Sequence, residues 1–109
     1  TDNGQQILRR GYDLLVRDKN VLVLEDSTTT GGSVKQVIDV VRNAGGKVVE
    51  VCVMVNRDPK LVNSKTVGVA FAALAVYRAK SYAQKDCPLC RKGIPINTQF
   101  GHGEKLKSE

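Results

Sequence analysis

The sequence predicts an α/β protein built on a parallel β-sheet, and three segments carry this prediction. Val21–Leu24 and Val48–Val55 are continuous apolar runs rich in branched side chains, which is the pattern of strands buried in a parallel sheet. Between them, apolar residues recur at helical spacing, namely Val34, Val37, Ile38 and Val41. Two parallel strands joined by a helix form a right-handed crossover in nearly every known protein.

The limits of this helix are predicted from the residues at its two ends. Ser33 and Gln36 have the spacing of a capping box, in which each side chain accepts from the backbone amide of the other residue. Gly45–Gly46 supplies a left-handed stop after the last apolar position. Upstream, Glu25–Gly32 contains acids, hydroxyls and glycines, which predicts a loop.

The flanking segments leave alternatives open. Ile7–Val16 is either a short strand followed by a helical turn or a single helix broken at Gly11. Phe71–Tyr77 is alanine-rich and compatible with a helix, but its place after Gly68 in an α/β chain favours another strand. We therefore expect a core over residues 1–84 and a loop-rich tail over residues 85–109, with a frayed end after His102.

Composition and charge narrow the function classes. The chain has 109 residues, enough for one domain with a real core. Lysine and arginine outnumber the acids by 17 to 11, and the net charge of +6 favours anionic partners. The positive residues are scattered and aromatic residues are few, which argues against nucleic acid as the partner.

Membrane and secretory signals are absent from the given sequence. The longest apolar stretch, Val67–Tyr77, is about half of what a membrane span needs. The first residues do not show the charged-then-apolar pattern of a secretory signal, and three cysteines are more typical of thiols or metal ligands than of a disulfide framework. A cytoplasmic protein with no membrane partner is predicted.

The loop at Glu25–Ser33 has the chemistry of a phosphate cradle. It leaves the carboxyl end of a buried strand, where ligands bind in open α/β sheets, and it enters a helix N-terminus, where free amides attract an anion. Gly31 and Gly32 allow the backbone to approach a phosphate closely. Hydroxyl donors come from Thr29, Thr30 and Ser33.

Glu25 and Asp26 need a different ligand group, because two carboxylates repel a phosphate. Carboxylates only accept hydrogen bonds, so the vicinal hydroxyls of a ribose fit them. They also suit Mg²⁺, which prefers oxygen ligands and substrate phosphates. A sugar phosphate satisfies both halves of the loop, whereas the plainer interpretation is a turn capped by acids and shaped by glycines.

The whole segment Val21–Ser33, VLVLEDSTTTGGS, resembles the thirteen-residue phosphoribosyl-pyrophosphate signature of type I phosphoribosyltransferases. The resemblance implies their parallel-sheet, Rossmann-like fold, with Glu25 and Asp26 at the ribose and magnesium and residues Thr28–Ser33 at the 5′-phosphate. Thr28 departs from the family, which often has an aliphatic residue there. The implied reaction displaces pyrophosphate from phosphoribosyl pyrophosphate by a nitrogen of a base.

Arg57 favours orotate as that base. It follows the second strand in Val53–Asp58, VMVNRD, and in orotate phosphoribosyltransferases an arginine at the matching place contacts the pyrimidine, as does the threonine matching Thr29. A guanidinium is the natural bidentate partner of the orotate carboxylate. Alternatives are a transferase for a purine or another base, and a non-enzymatic regulator that senses phosphoribosyl pyrophosphate.

The tail contains Cys87–His102, CPLCRKGIPINTQFGH, and similar segments occur in some orotate-type enzymes. Cys87 and Cys90 have the spacing of a zinc knuckle with His102 as a third ligand, although a closed site needs four. A loop with free thiols is the favoured interpretation. A redox role is less favoured, because no thioredoxin-like strand-to-helix context is visible.

The resemblance also bears on completeness. In the family, the segments before this region carry the pyrophosphate loop, the mobile catalytic loop and the hood over the base. The sequence is therefore expected to be a C-terminal portion that binds ribose phosphate weakly but does not complete turnover. Enzymes of this kind are commonly homodimers, so a homodimer is expected.

Overall fold

The computed structural model describes residues 5–9 and 11–99, which form two compact units. Within these described residues, the first unit ends at Ala79 and the second begins at Lys80. The first contains α1 (Tyr12–Val16), β1 (Asn20–Thr28), α2 (Gly32–Asn43), β2 (Lys47–Asn56), α3 (Ser64–Val67) and β3 (Ala70–Val76). The second contains a 3-10 turn (Gln84–Asp86) and α4 (Pro88–Arg91).

The three strands form one parallel sheet in the order β1-β2-β3. This confirms the predicted α/β class and the strand interpretation of Phe71–Tyr77. The helix α2 connects β1 to β2 and packs on one face of the sheet. Its buried residues Val34, Ile38 and Val41 join Val23, Val48, Val51 and Val53 of the strands in the core, as the helical spacing predicts.

The capping box predicted at Ser33 is wrong. The helix is capped by Gly31, whose φ of 77° is left-handed, and no side chain caps the first turn. A glycine at this point lets the chain turn directly into the helix, so the helix begins upstream of Ser33, which is exposed. The other end is as predicted, since Gly45 takes a left-handed φ of 86° after the helix.

The strand β1 is longer than predicted, and Glu25–Thr28 is strand rather than loop. Its pairing with β2 continues through Glu25↔Val53 and Thr28↔Asn56. Ladder hydrogen bonds use the backbone alone, so polar side chains do not end a strand whose neighbour continues. Successive strand residues point to opposite faces of a sheet, and this separates the side chains of Glu25 and Asp26.

The sheet face opposite α2 is uncovered in the described part of the chain. Leu24 is 69% exposed and Leu74 76% exposed, and Leu22, Met54 and Val76 are also exposed. The prediction that β1 and β2 are buried strands therefore holds only for the face that packs on α2, because no described helix of the first unit covers the other face. Within the described residues, no helix has the length and apolar character to cross a membrane.

The flanking segments differ in detail from what the sequence predicted. A helical turn follows Gly11, as one of the two alternatives predicted, but residues 7–9 are not in a strand. The tail is not loop throughout, because Pro88 begins the one-turn helix α4 and Gly93 follows it with a φ of 73°. Proline suits the first helical position, since its missing N–H has no partner there in any case. His102 lies outside the described residues.

Candidate functional site

The candidate site lies at the carboxyl edge of the sheet, where two loops meet. Residues 29–31 connect β1 to α2, and residues 57–63 connect β2 to α3. The backbone amide of Arg57 donates to the carbonyl of Thr28 at 2.8 Å and ties the two loops together. Parallel strands place their carboxyl ends at one edge, so residues far apart in sequence converge here.

The turn at Gly31 forms the centre of the site. Gly31 is buried, and a Cβ built on it would lie 3.4 Å from Cγ2 of Val62, itself fully buried. The loop after β2 therefore packs directly against the turn that opens α2. A left-handed backbone at Gly31 directs the chain into the helix at this contact.

The first turn of α2 presents free backbone donors. The helical hydrogen bonds begin with the Lys35 amide, which donates to the Gly31 carbonyl at 3.0 Å. Gly32 makes only a long contact of 3.5 Å with Oγ1 of Thr30. In residues 5–9 and 11–99, the amides of Ser33 and Val34 have no acceptor. Such amides, at the positive end of a twelve-residue helix, favour an anion.

The hydroxyl groups named from the sequence differ in access. Thr30 and Ser33 are exposed and Thr29 is half-buried. Thr28 is the last residue of β1 and only 6% exposed, which makes it the least accessible of the four. Its role at a phosphate stays a prediction.

The two acids are not side by side. Glu25 is half-buried and Asp26 is exposed, on opposite faces of β1. Oδ1 of Asp26 accepts from the Ser27 amide at 2.6 Å, so its other oxygen remains available to a ligand. A ribose contacting both carboxylates would have to lie across the strand end, rather than over two adjacent side chains.

The same acids fit Mg²⁺ only when the ligand contributes oxygen atoms. Among the described residues, no group of three or more histidine, cysteine or acidic side chains is placed to hold a metal. Mg²⁺ commonly binds one or two carboxylates together with substrate phosphates. Glu25 and Asp26 match that sparse donor set.

Arg57 stands on a loop braced by a residue that the sequence interpretation missed. Asn56 is 3% exposed; its Nδ2 donates to the Val62 carbonyl at 2.9 Å, and its Oδ1 accepts from the Asp58 amide at 3.1 Å. Oδ1 of Asp58 in turn accepts from the amides of Lys60 and Leu61. The sequence does contain an indication of a turn here, because Asn-x-Asp-Pro after a strand is a typical turn composition.

The far end of the same loop is also anchored. Oδ1 of Asn63 accepts from the amides of Lys65 and Thr66, and the Asn63 amide donates to Oγ1 of Thr66 at 3.1 Å. This is a complete capping box at the start of α3. The half-buried Arg57 thus projects from a rigid loop, and its guanidinium has no partner within the described part of the chain.

Comparison with known proteins gives the family of this site. A model of the phosphoribosyl transferase domain matches residues 13–80, which is more than half of the chain and includes both loops. The chain belongs to the phosphoribosyltransferase family. The resemblance of Val21–Ser33 to the family signature is thereby confirmed.

Individual relatives of this phosphoribosyltransferase chain carry a more specific name. Orotate phosphoribosyltransferase of Caldanaerobacter subterraneus is 43% identical over 82% of this chain and 45% of its own length. That of Desulforamulus reducens is 45% identical over 86% and 47%, and that of Thermotoga maritima 39% identical over 95% and 54%. The chain spans about half the length of these relatives.

The brace beneath Arg57 gives a prediction for the stability of this phosphoribosyltransferase core. Replacing Asn56 by alanine leaves the Val62 carbonyl and the Asp58 amide without their partner. We expect the free energy of unfolding to fall by about 1–3 kcal/mol, the usual cost of unpaired buried groups. Urea unfolding measures this. Asn43→Ala at the exposed end of α2 is the control, and equal stability of the two variants would contradict the assigned role.

The cysteines of the tail form a separate pair in the second unit of this phosphoribosyltransferase chain. Both thiols are half-buried, and no side-chain hydrogen bond from Cys87 caps the first turn of α4. The Cys90 amide and thiol lower the pKa of Cys87, and the neighbouring Cys87 thiol raises the pKa of Cys90. With His102 outside the described residues, a zinc site stays a prediction.

Proposed function

We propose that this chain is the phosphoribosyl-binding part of an orotate phosphoribosyltransferase, which transfers 5-phosphoribosyl from phosphoribosyl pyrophosphate to orotate. The products are orotidine 5′-phosphate and pyrophosphate, in pyrimidine nucleotide synthesis. The observation that carries the proposal is the turn at Gly31, buried against Val62, with the free amides of Ser33 and Val34 beyond it. The names of the relatives support the choice of orotate.

The 5′-phosphate would bind at this turn. The amides of Ser33 and Val34 donate to its oxygens, and the exposed hydroxyls of Thr30 and Ser33 add donors from the side chains. Hydrogen bonds to a charged group contribute about 1.5–3 kcal/mol each. These contacts fix one end of the substrate at a rigid point of the fold, so they position the reacting carbon.

The acids would act on the ribose. In a displacement at the anomeric carbon, the bond to pyrophosphate breaks as the base nitrogen attacks, and positive charge develops on the ribose ring. Glu25 and Asp26 accept hydrogen bonds from the 2′- and 3′-hydroxyls, and their negative charge stabilises that ring. The opposite faces of the two side chains suggest that Asp26, the more exposed, makes the principal contact.

Mg²⁺ is proposed to bind with the substrate, held by the pyrophosphate oxygens and by Glu25 or Asp26. When bound, it would neutralise the charge of the departing pyrophosphate. Among the described residues, no group of three or more histidine, cysteine or acidic side chains is placed to hold the ion, so the substrate would have to supply the remaining ligands.

Arg57 is proposed to recognise the base. Its guanidinium is the only kind of side chain that presents two parallel donors to a carboxylate, and it projects from the loop that contacts Gly31 through Val62. Thr29, half-buried in the neighbouring loop, is proposed as the second contact to the base. A homodimer and a cytoplasmic location remain predictions, and no nucleic-acid or membrane partner is proposed.

Calorimetry of this chain tests the proposed binding. We expect phosphoribosyl pyrophosphate to bind more tightly with Mg²⁺ than without it, and Asp26→Asn to reduce that magnesium-dependent gain because a neutral amide is a poor ligand for Mg²⁺. Asp39→Asn on exposed α2 is the matched control. Binding that is absent with and without Mg²⁺ would contradict the proposed function.

A further inference from the structure

Cys87 and Cys90 occupy a position that the proposed transfer reaction does not use. Both thiols are half-buried and free, and they lie in the unit that begins at Lys80. The sequence alone predicted an irregular loop here. Instead, the Arg91 amide donates to the Cys87 carbonyl at 3.1 Å, so the four residues from Cys87 to Cys90 span one helical turn.

This turn brings the backbones of the two cysteines within the range of a disulfide bond. Residues three apart in a helix have Cα atoms about 5 Å apart, inside the window in which a disulfide forms without moving the backbone. Pro88 at the first helical position and the left-handed Gly93 after the helix hold the turn at both ends.

We propose that Cys87 and Cys90 form a reversible dithiol–disulfide pair that exchanges with small-molecule disulfides. The Cys87 thiolate attacks one sulfur of the small disulfide, forming a mixed disulfide and releasing one thiolate. The Cys90 thiolate then attacks the Cys87 sulfur, forms the Cys87–Cys90 bond and releases the second thiolate. The pair loses two electrons and two protons, and the small disulfide becomes two thiols.

The geometry favours a reversible bond over a structural one. A disulfide stabilises a fold mainly by closing a long loop in the unfolded chain, and the loop between Cys87 and Cys90 contains only two residues. Little stability is lost when such a bond is reduced, so an excess of thiol reverses it.

The test is equilibration of the chain in glutathione buffers of increasing disulfide fraction, followed by acid quenching, alkylation and mass spectrometry. The oxidised chain should lose two hydrogens and be alkylated only at Cys52. Cys52→Ser is the control, since that thiol lies on β2, and it should still lose two hydrogens.

The single variants separate the two steps. Cys90→Ser should stop at a mixed disulfide with one glutathione on Cys87, and Cys87→Ser should form no internal bond. Full alkylation of all three cysteines in the most oxidising buffer would overturn the proposal, as would a disulfide to Cys52 or between two chains. Protection of both thiols by Zn²⁺ alone, with no internal disulfide in any buffer, would overturn it as well.

Discussion

Replacing Gly31 by alanine is expected to weaken the binding of ribose 5-phosphate by about tenfold to a hundredfold. A side chain in the left-handed region costs roughly 1–2 kcal/mol, and the turn would relax to avoid that cost. Relaxation moves the amides of Ser33 and Val34 away from the phosphate. Loss of one charge-assisted hydrogen bond, worth about 1.5–3 kcal/mol, corresponds to this range of affinity.

The opposite end of the same helix provides the control. Gly45 also has a positive φ, 86°, and a Cβ there would lie 3.4 Å from Cγ of Arg17, the same distance as from a Cβ on Gly31 to Cγ2 of Val62. Gly45→Ala therefore introduces the same backbone strain away from the site. Calorimetry should show a loss of affinity for Gly31→Ala alone; equal losses in both variants would point to general destabilisation and contradict the role of the turn.

Replacing Arg57 by alanine is expected to lower the affinity for orotidine 5′-phosphate by about tenfold to a hundredfold. The affinity for ribose 5-phosphate should fall by less than about twofold. The two ligands share the phosphate and sugar and differ in the orotate base, so only the first loses a bidentate contact with the guanidinium. Arg57→Lys keeps the charge without the paired donors, and its affinity should be intermediate. Direct binding measurements suffice, and turnover is not required.

An arginine distant from the site controls for the lost charge. Arg42→Ala removes one positive charge in the last turn of α2. This substitution should lower the affinities for the two ligands slightly and to the same extent. If Arg57→Ala lowered the affinity for both ligands to the same extent, Arg57 would attract anions in general. No residue of the chain would then support orotate as the base.

The sequence predicted the parts of the fold that depend on apolar periodicity. The branched runs in β1 and β2 and the spacing of Val34, Ile38 and Val41 determine which faces are buried, so the crossover unit was predictable. The strand at Phe71–Tyr77 followed from its place after that unit. These features depend on the spacing of apolar side chains along the chain, which can be read from the sequence.

The site was predictable in location but not in detail. The composition of Glu25–Ser33 indicated a phosphate loop, yet whether Glu25 belongs to the loop or to the strand depends on how far β2 continues beside it. The start of α2 was misplaced for a similar reason: Ser33 suggested a side-chain cap, while the left-handed conformation of Gly31 and its contact with Val62 allowed an earlier start.

The support of Arg57 by Asn56 was missed because it is tertiary. The Asn56 side chain crosses its own loop to the Val62 carbonyl, and Val62 packs on the turn of another loop. The composition Asn-x-Asp-Pro indicates a turn after β2, but it does not indicate that the Asn56 side chain reaches the Val62 carbonyl. That contact becomes visible only when the carboxyl ends of β1 and β2 are placed side by side.

A titration of the ¹⁵N-labelled chain with ribose 5-phosphate, followed by NMR, tests most directly whether the opening turn of α2 receives the phosphate. The largest amide shifts are expected at Gly32, Ser33 and Val34, with little change at the opposite end of the helix near Gly45. Shifts confined to other parts of the chain, or an unchanged spectrum at saturating ligand, would contradict it.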